Sequence, residues 1–247
     1  MEARLRWLAD GAVIVAALAA LVLLAAVLGA RVGLWTSHAG FGAFRWAALL
    51  GLLGAALSAI ALVRAWMTDG PVAGGTSSTL VAGALAVSLA VFSVPWLMMQ
   101  QARRVPFIHD ITTDTADPPA FVAVLPLRAG AQNPAAYGGP EVAAAQARAY
   151  PEIVPSYLAA APADAFERAL TAGRGMGWAI VAADPASGRI EATATTRWLG
   201  FKDDVVVRIR PDGGGSRVDV RSASRVGKSD LGMNARRIRE YLGRLRR

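Results

Sequence analysis

The run RSASRVGKSD at residues 221–230 gathers the side chains best suited to chemistry: Arg221, Arg225 and Lys228 bring positive charge, and Ser222, Ser224 and Ser229 bring hydroxyls. It ends where a helix is expected to begin, and a helix start offers free backbone N–H groups to a carboxylate, phosphate or sulfate. Gly227-Lys228-Ser229 mimics the end of a phosphate-binding loop, but that motif needs a glycine five positions before Gly227, where Ser222 stands. Nucleotide hydrolysis is therefore not expected. Strand alternation also divides the set, sending Arg221 and Arg225 to one face and Ser222 and Ser224 to the other. The competing reading pairs the arginines with Asp203, Asp204 or Asp219 and leaves the serines to fix the turn.

A second group, His109, Asp110 and Asp114 in HDITTD, raises a general-base or metal reading. A hydrolase using His109 with Ser222, Ser224 or Asp230 is the enzymatic alternative, because triads are defined by geometry rather than chain order. No nucleophile elbow or metal-ligand spacing supports it, and a turn capped by Asp110 or Thr113 accounts for the same residues. Asp203 and Asp204 are adjacent at a strand entrance, so they point to opposite faces and do not form an acid–base pair. The chain has no cysteine and only two histidines, which excludes disulfides, thiolate nucleophiles and thiolate metal sites. No cofactor motif is present.

These residues need a scaffold, and the pattern after residue 164 supplies one. Residues 164–173 read as a short helix and 178–182 as a strand. DPASG at 184–188 reads as a turn. Residues 189–198 alternate, with Ile190, Ala192, Ala194, Thr196 and Trp198 on a dry face and Arg189, Glu191, Thr193, Thr195 and Arg197 on a wet one. Residues 205–210 and 217–220 flank PDGGGS as a hairpin, and placing Val207 opposite Val220 and Ile209 opposite Val218 sets Arg208 opposite Asp219. Ser229 is expected to cap a last helix. Its apolar stripe runs through Leu231, Asn234, Ala235, Ile238, Leu242 and Leu245, with Arg236, Arg237, Arg239, Arg244, Arg246 and Arg247 on the outer surface. Before this, residues 101–163 carry nine prolines and read as an extended linker partly packed on the domain, helical only at 141–149.

The first hundred residues differ in kind. Residues 12–30, 46–63 and 80–99 contain no charged side chain, and each is about as long as a helix needs to cross a bilayer. Trp7, Trp35, Trp46, Trp66 and Trp96 lie near their ends, where an indole keeps its ring in the lipid boundary. Arg4, Arg6 and small residues around Gly29 and Ala30 also fit a cleaved export signal, against which stand Asp10 and the length of the apolar run. Arg4, Arg6 and Arg64 face Arg31, Arg45, Arg103 and Arg104 across three spans; the weight of the first helix favours the N-terminus inside and the soluble domain outside. Gly51, Gly54, Ala55 and Ser58 give the second span a small-residue surface for close helix packing. With no charge inside a span, transport has no carrier.

The chain holds 26 basic and 18 acidic residues, with a net of plus six beyond residue 100. That excess suits anionic headgroups or an acidic partner, and the arginine-rich last helix suits lipid contact. Nucleic acid is not expected, since aromatic side chains do not interleave the basic ones.

FKDDVVVRIRP followed by VDVRSASRVGKSDLGMNARRI resembles the bacterial and plant family known as domain of unknown function 1499. The resemblance rests on Phe201, Asp203, Asp204, Arg221, Ser222, Ser224, Arg225, Gly227, Ser229, Asp230, Gly232 and Asn234, and covers residues 164–247 with an extension towards 105. Shorter relatives carry Asn-Cys-Val-Ser where this chain has FIHDITTD at 107–114, so any role of that cysteine is absent here. The resemblance implies a family without an agreed activity, some members of which look exported, and it supplies no catalytic residue. The expected architecture is α+β: a transmembrane region at 1–100, the linker at 101–163, and at 164–247 an antiparallel four-stranded sheet packed by helices. The expected role is a membrane-anchored binding or assembly module in a bacterial inner membrane, with a periplasmic domain that recognises an anionic group or acidic partner.

Overall fold

The computed structural model describes residues 2–67 and 76–247, and the side chains of Arg4 and Arg6, which weigh on orientation, lie outside what is described. The chain forms two compact units, divided between Gln100 and Gln101, with residues 198–200 belonging to the first.

The N-terminal unit is built from α1 (Glu2–Arg31), α2 (Ser37–Met67) and α3 (Ser78–Arg104). Three stretches of these helices, Trp7–Arg31, Ser37–Met67 and Ser78–Arg104, are long and apolar enough to cross a membrane, with mean hydropathies of 2.9, 2.2 and 2.1. The helices run past the charge-free stretches because backbone hydrogen bonding continues through the flanking polar residues. The small residues of α2 face its neighbours. A Cβ added at Gly51 would lie 2.9 Å from the Ser88 carbonyl oxygen, and one at Gly54 would lie 3.4 Å from the Ala16 nitrogen. Glycine therefore sets the helix spacing here, as small residues do in lipid, where no hydrophobic force draws helices together.

The C-terminal unit contains β1 (Asp110–Thr112), α4 (Gly139–Ala149), β2 (Ser156–Leu158), α5 (Pro162–Gly175), β3 (Ala179–Asp184), β4 (Arg189–Thr195), β5 (Lys202–Asp212), β6 (Gly215–Ser224) and α6 (Met233–Leu245). The sheet has six strands in the order β1-β6-β5-β4-β3, with β2 also paired to β6, rather than the four expected. All its pairings are antiparallel. β1 and β2 share one edge of β6, Asp110 opposite Ala223 and Ser156 opposite Val218. Both arise from the proline-rich 101–163 segment, where three-residue strands are too short to leave a periodic signature. The β5–β6 hairpin has the register read from alternation, with Val207 opposite Val220, Arg208 opposite Asp219 and Ile209 opposite Val218. Gly213 and Gly214, at φ +51° and +85°, make the two-residue turn, whose positive φ values glycine adopts without strain.

One face of the sheet carries the apolar core. Val205, Val207, Ile209, Val218, Val220 and Ile190 pack against Phe166 and Leu170 of α5 and Ile238, Tyr241 and Leu242 of α6. Trp178 stacks on Tyr241 at 4.8 Å, and the Tyr241 hydroxyl donates to the Ala169 carbonyl at 2.9 Å.

The other face, expected to be wet, is also covered. Glu191 is 0% exposed and Thr193 is buried, because a strap formed by residues 113–138 crosses them. Phe121 and Val124 of the strap pack on Val206 and Ala223. The Glu191 carboxylate accepts the Val122 and Val124 N–H groups at 3.0 Å. β4 also ends at Thr195, not at Trp198, which is exposed outside the strand.

Gly188 marks a close approach: at φ +62°, an added Cβ would lie 2.2 Å from the Ile209 carbonyl oxygen. Gly188→Ala is expected to destabilise the domain by more than the ~1 kcal/mol of an ordinary glycine replacement, because steric overlap adds to the positive-φ cost. Urea unfolding of the purified protein reads this; an unchanged midpoint refutes it.

Candidate functional site

The 221–230 residues divide by face as alternation requires. Arg221 and Arg225 turn towards the strap, and Ser222 and Ser224 towards α6. Each then finds a partner inside the protein. Arg221 is 2% exposed and donates to both Asp110 oxygens, through Nε at 2.9 Å and Nη2 at 2.7 Å, and to the Pro119 and Ala135 carbonyls. Its guanidinium lies 4.7 Å from the Phe121 ring centroid and 5.5 Å from that of Tyr137. Arg225 clamps Asp204 through Nε at 2.9 Å and Nη2 at 2.7 Å, and Arg128 from the strap reaches the same carboxylate at 2.8 Å.

On the opposite face Ser222, fully buried, donates to Asn234 Oδ1 at 2.7 Å and accepts from Arg237 at 2.9 Å. Ser224 accepts from Asn234 Nδ2 at 3.1 Å. Asp203 pairs with Arg237 at 2.6 Å, so the neighbouring aspartates serve opposite faces as expected. Arg237 is buried in this contact rather than lying on the outer helix surface.

The start of α6 corrects the expected cap. Asp230, not Ser229, caps it: Oδ1 accepts the Gly232 N–H and Oδ2 the Asn234 N–H, both at 2.8 Å. Ser229 Oγ accepts only the Leu231 N–H, at 3.3 Å. Leu231 and Gly232 both take positive φ, and this bend moves the helix start to Met233. Burial, partly offset by the two N–H groups, raises the pKa of Asp230 above the ordinary carboxylate range.

HDITTD is a strand entrance rather than a capped turn. Asp110 is consumed by Arg221, while Thr113 Oγ1 accepts the distant Val220 N–H at 2.8 Å. The turn that follows is capped by Asp114, whose Oδ1 accepts the Asp117 N–H at 2.9 Å. With Asp219, Asp114 anchors Arg208 and Arg217 at one end of the sheet.

Beside His109 lies a cavity of about 290 Å³. Phe107, Ile108, Pro134, Ala136 and Val142 give it an apolar wall, and His109, Asp110, Asn133 and Lys228 are its polar members. Two of these four are committed: Asp110 to Arg221, and the Asn133 amide to the Ser224 and Gly227 carbonyls at 3.0 and 2.9 Å. His109 Nδ1 is buried without a partner. Lys228 is exposed and makes no ion pair among the described residues.

Sequence reasoning missed the strap residues Phe121, Arg128, Asn133 and Tyr137, and with them the cavity. One signal was available: Arg208, Arg221 and Arg225 on one face of the β5–β6 hairpin demand acids from elsewhere, and 107–117 holds three aspartates.

Tyr137 offers a test of strap burial. Its hydroxyl has no partner, and burial first, then the Asp110 carboxylate, against an opposing effect of Arg221, pushes its pKa from 10.0 up to about 12. An acid held protonated by the fold lowers stability as pH rises from its unfolded to its folded pKa. The domain should therefore lose stability between pH 10 and about 12, and less steeply in Tyr137→Phe. Identical alkaline unfolding profiles for the two proteins would refute a buried phenol.

The fold thus defines a chain of three membrane-compatible helices followed by an antiparallel α+β domain whose sheet is covered on both faces. A family model described as protein of unknown function (DUF1499) matches residues 110–245, more than half of the chain, and the protein belongs to that family. The match begins at the first residue of β1, so it takes in the strap, α4 and β2. No curated protein matches the chain.

Proposed function

We propose that this protein is a membrane-anchored binding module, with its C-terminal domain on the outer, periplasmic face of a bacterial inner membrane, where it captures an anionic group or the acidic surface of a partner. The observation that carries this reading is the polar accounting at the cavity. Arg221, Ser222, Ser224 and Arg225 are each held by partners inside the fold, whereas Lys228 makes no ion pair among the described residues and His109 Nδ1 has no partner. An uncommitted cation beside an unpaired buried nitrogen is a recognition feature, since buried polar groups otherwise find partners. The binding set is therefore Lys228 and His109, flanked by Ser229.

Hydrolysis is not adopted. The Ser222 hydroxyl is held by Asn234 and Arg237 with no exposure, and both Asp230 oxygens accept backbone N–H groups. Ser224 is buried beside Ser222 on Asn234, and His109 Nδ1 bonds to none of the three, so the described residues form no nucleophile–base pair.

Absence of native cysteine makes placement testable. Ala186 sits in the exposed β3–β4 turn, and Ala186→Cys is expected to react with a membrane-impermeant maleimide in spheroplasts. Labelling only after lysis overturns the outward placement. Binding is read by titrating acetate or phosphate into the full chain in nanodiscs: a bound anion raises the unfolding midpoint, and Lys228→Glu abolishes the rise. A midpoint unmoved by either anion overturns the binding reading.

A further inference from the structure

We infer that the ligand of this site is a small carboxylic acid with an apolar body, its chain in the cavity and its carboxylate on Lys228. The inference rests on the anion-binding reading and adds the ligand's chemical class. A half-open cavity of about 290 Å³ is lined by Phe107 and Ile108 on the approach to β1, by Pro134 and Ala136 before α4 and by Val142 in its first turn. At about 30 Å³ per water-sized group, it accepts on the order of ten non-hydrogen atoms. A simple inorganic anion would leave that apolar wall wet.

Charge selects the head group. Lys228 is the cavity's one uncommitted cation among the described residues, and the Asp110 carboxylate beside it is already neutralised by Arg221. One positive charge matches one carboxylate, whereas a phosphate dianion calls for several cationic or N–H donors, and the guanidinium groups of Arg221 and Arg225 each already hold a carboxylate, Asp110 and Asp204. His109 Nδ1 adds the second polar contact: carrying the ring proton, it donates to the carboxylate, which satisfies a nitrogen that otherwise stays unpaired in the protein. The ligand thus removes an unsatisfied buried group and apolar surface from water together.

Hexanoate is the probe, with acetate sharing its charge, hexanol its chain, and inorganic phosphate testing the head group. Each is titrated calorimetrically into the full chain in nanodiscs, with empty nanodiscs as blank. Burial of a methylene strengthens binding about fourfold, so two buried methylenes make hexanoate about fifteenfold tighter than acetate. Hexanol and phosphate should bind at least about tenfold more weakly than hexanoate. Lys228→Ala should weaken both carboxylates and Lys228→Arg should restore them. Val142→Phe and Ala136→Phe each fill the cavity. Either one, provided it melts cooperatively, should remove the advantage of hexanoate and keep acetate binding. Hexanoate no tighter than acetate, with acetate still dependent on Lys228, overturns this inference and leaves the anion-binding reading standing. If no anion binds, both fail. A hexanoate advantage that survives cavity filling reports partition into the bilayer and also overturns the inference.

Discussion

Asp204→Ala is expected to cost the C-terminal domain on the order of 3–5 kcal/mol, the range seen when one partner of a buried ion pair is removed. Asp204 is 0% exposed, and its two oxygens receive Arg128 at 2.8 Å, Arg225 at 2.9 and 2.7 Å and the Thr193 hydroxyl at 2.8 Å. Alanine leaves two guanidinium groups facing each other in a dry interior with no anion between them. A domain of ordinary stability has about 5–15 kcal/mol in total, so the variant should unfold at a fraction of the wild-type urea concentration or fail to accumulate. Asp204→Asn, which keeps the shape and one acceptor, should fall between. A loss below about 1 kcal/mol for the alanine variant would show that the cluster is solvated in solution.

Arg221→Ala should match this loss by a different route. It strands the Asp110 carboxylate, frees the Pro119 and Ala135 carbonyls and removes the cation held between Phe121 and Tyr137. The strap and β1 depend on these contacts, so residues 113–138 should become sensitive to protease before the β5–β6 hairpin does. Removing both charges separates structure from charge: Arg221→Met with Asp110→Leu should recover at least about 2 kcal/mol of the loss, since a buried pair replaced by apolar groups of similar volume is often neutral. If the single variant unfolds normally but loses anion binding, then Arg221 is a ligand-contacting residue and its burial has been misread. A double variant no more stable than the single one would show that packing, rather than charge, holds the strap.

What could be read from the sequence follows the range of the interactions. The β5–β6 register was legible because side-chain direction repeats every two residues and the glycines of PDGGGS fix the turn, both local properties. The opposed directions of Asp203 and Asp204 were legible for the same reason. The resemblance carried the domain's identity through RSASRVGKSDLG, although not the purpose of its residues. β1, β2 and the strap were hidden because each is specified by partners far along the chain: Asp110 meets Arg221 from 111 residues away and Val122 meets Glu191 from 69. Alternation reports polarity, not exposure, so Glu191 and Thr193 looked solvated when they were waiting for the strap. Arg237 was misplaced likewise, because a charged residue on a helix reads as outer surface until Asp203 is known to face it. The cavity had no local signature, being bounded by segments around residues 107, 136 and 228 that meet only in the fold.

The shared edge of β6 also sets a schedule. Both β1 and β2 leave the ribosome early and pair only with a strand that emerges more than fifty residues later. Until then the aspartates and prolines of the strap have no surface to lie on, and the domain consists of the β3–β4–β5 meander with its helix. The sheet is in effect zipped shut by its own last strand, so β1 and β2 can take their places only when synthesis is nearly complete.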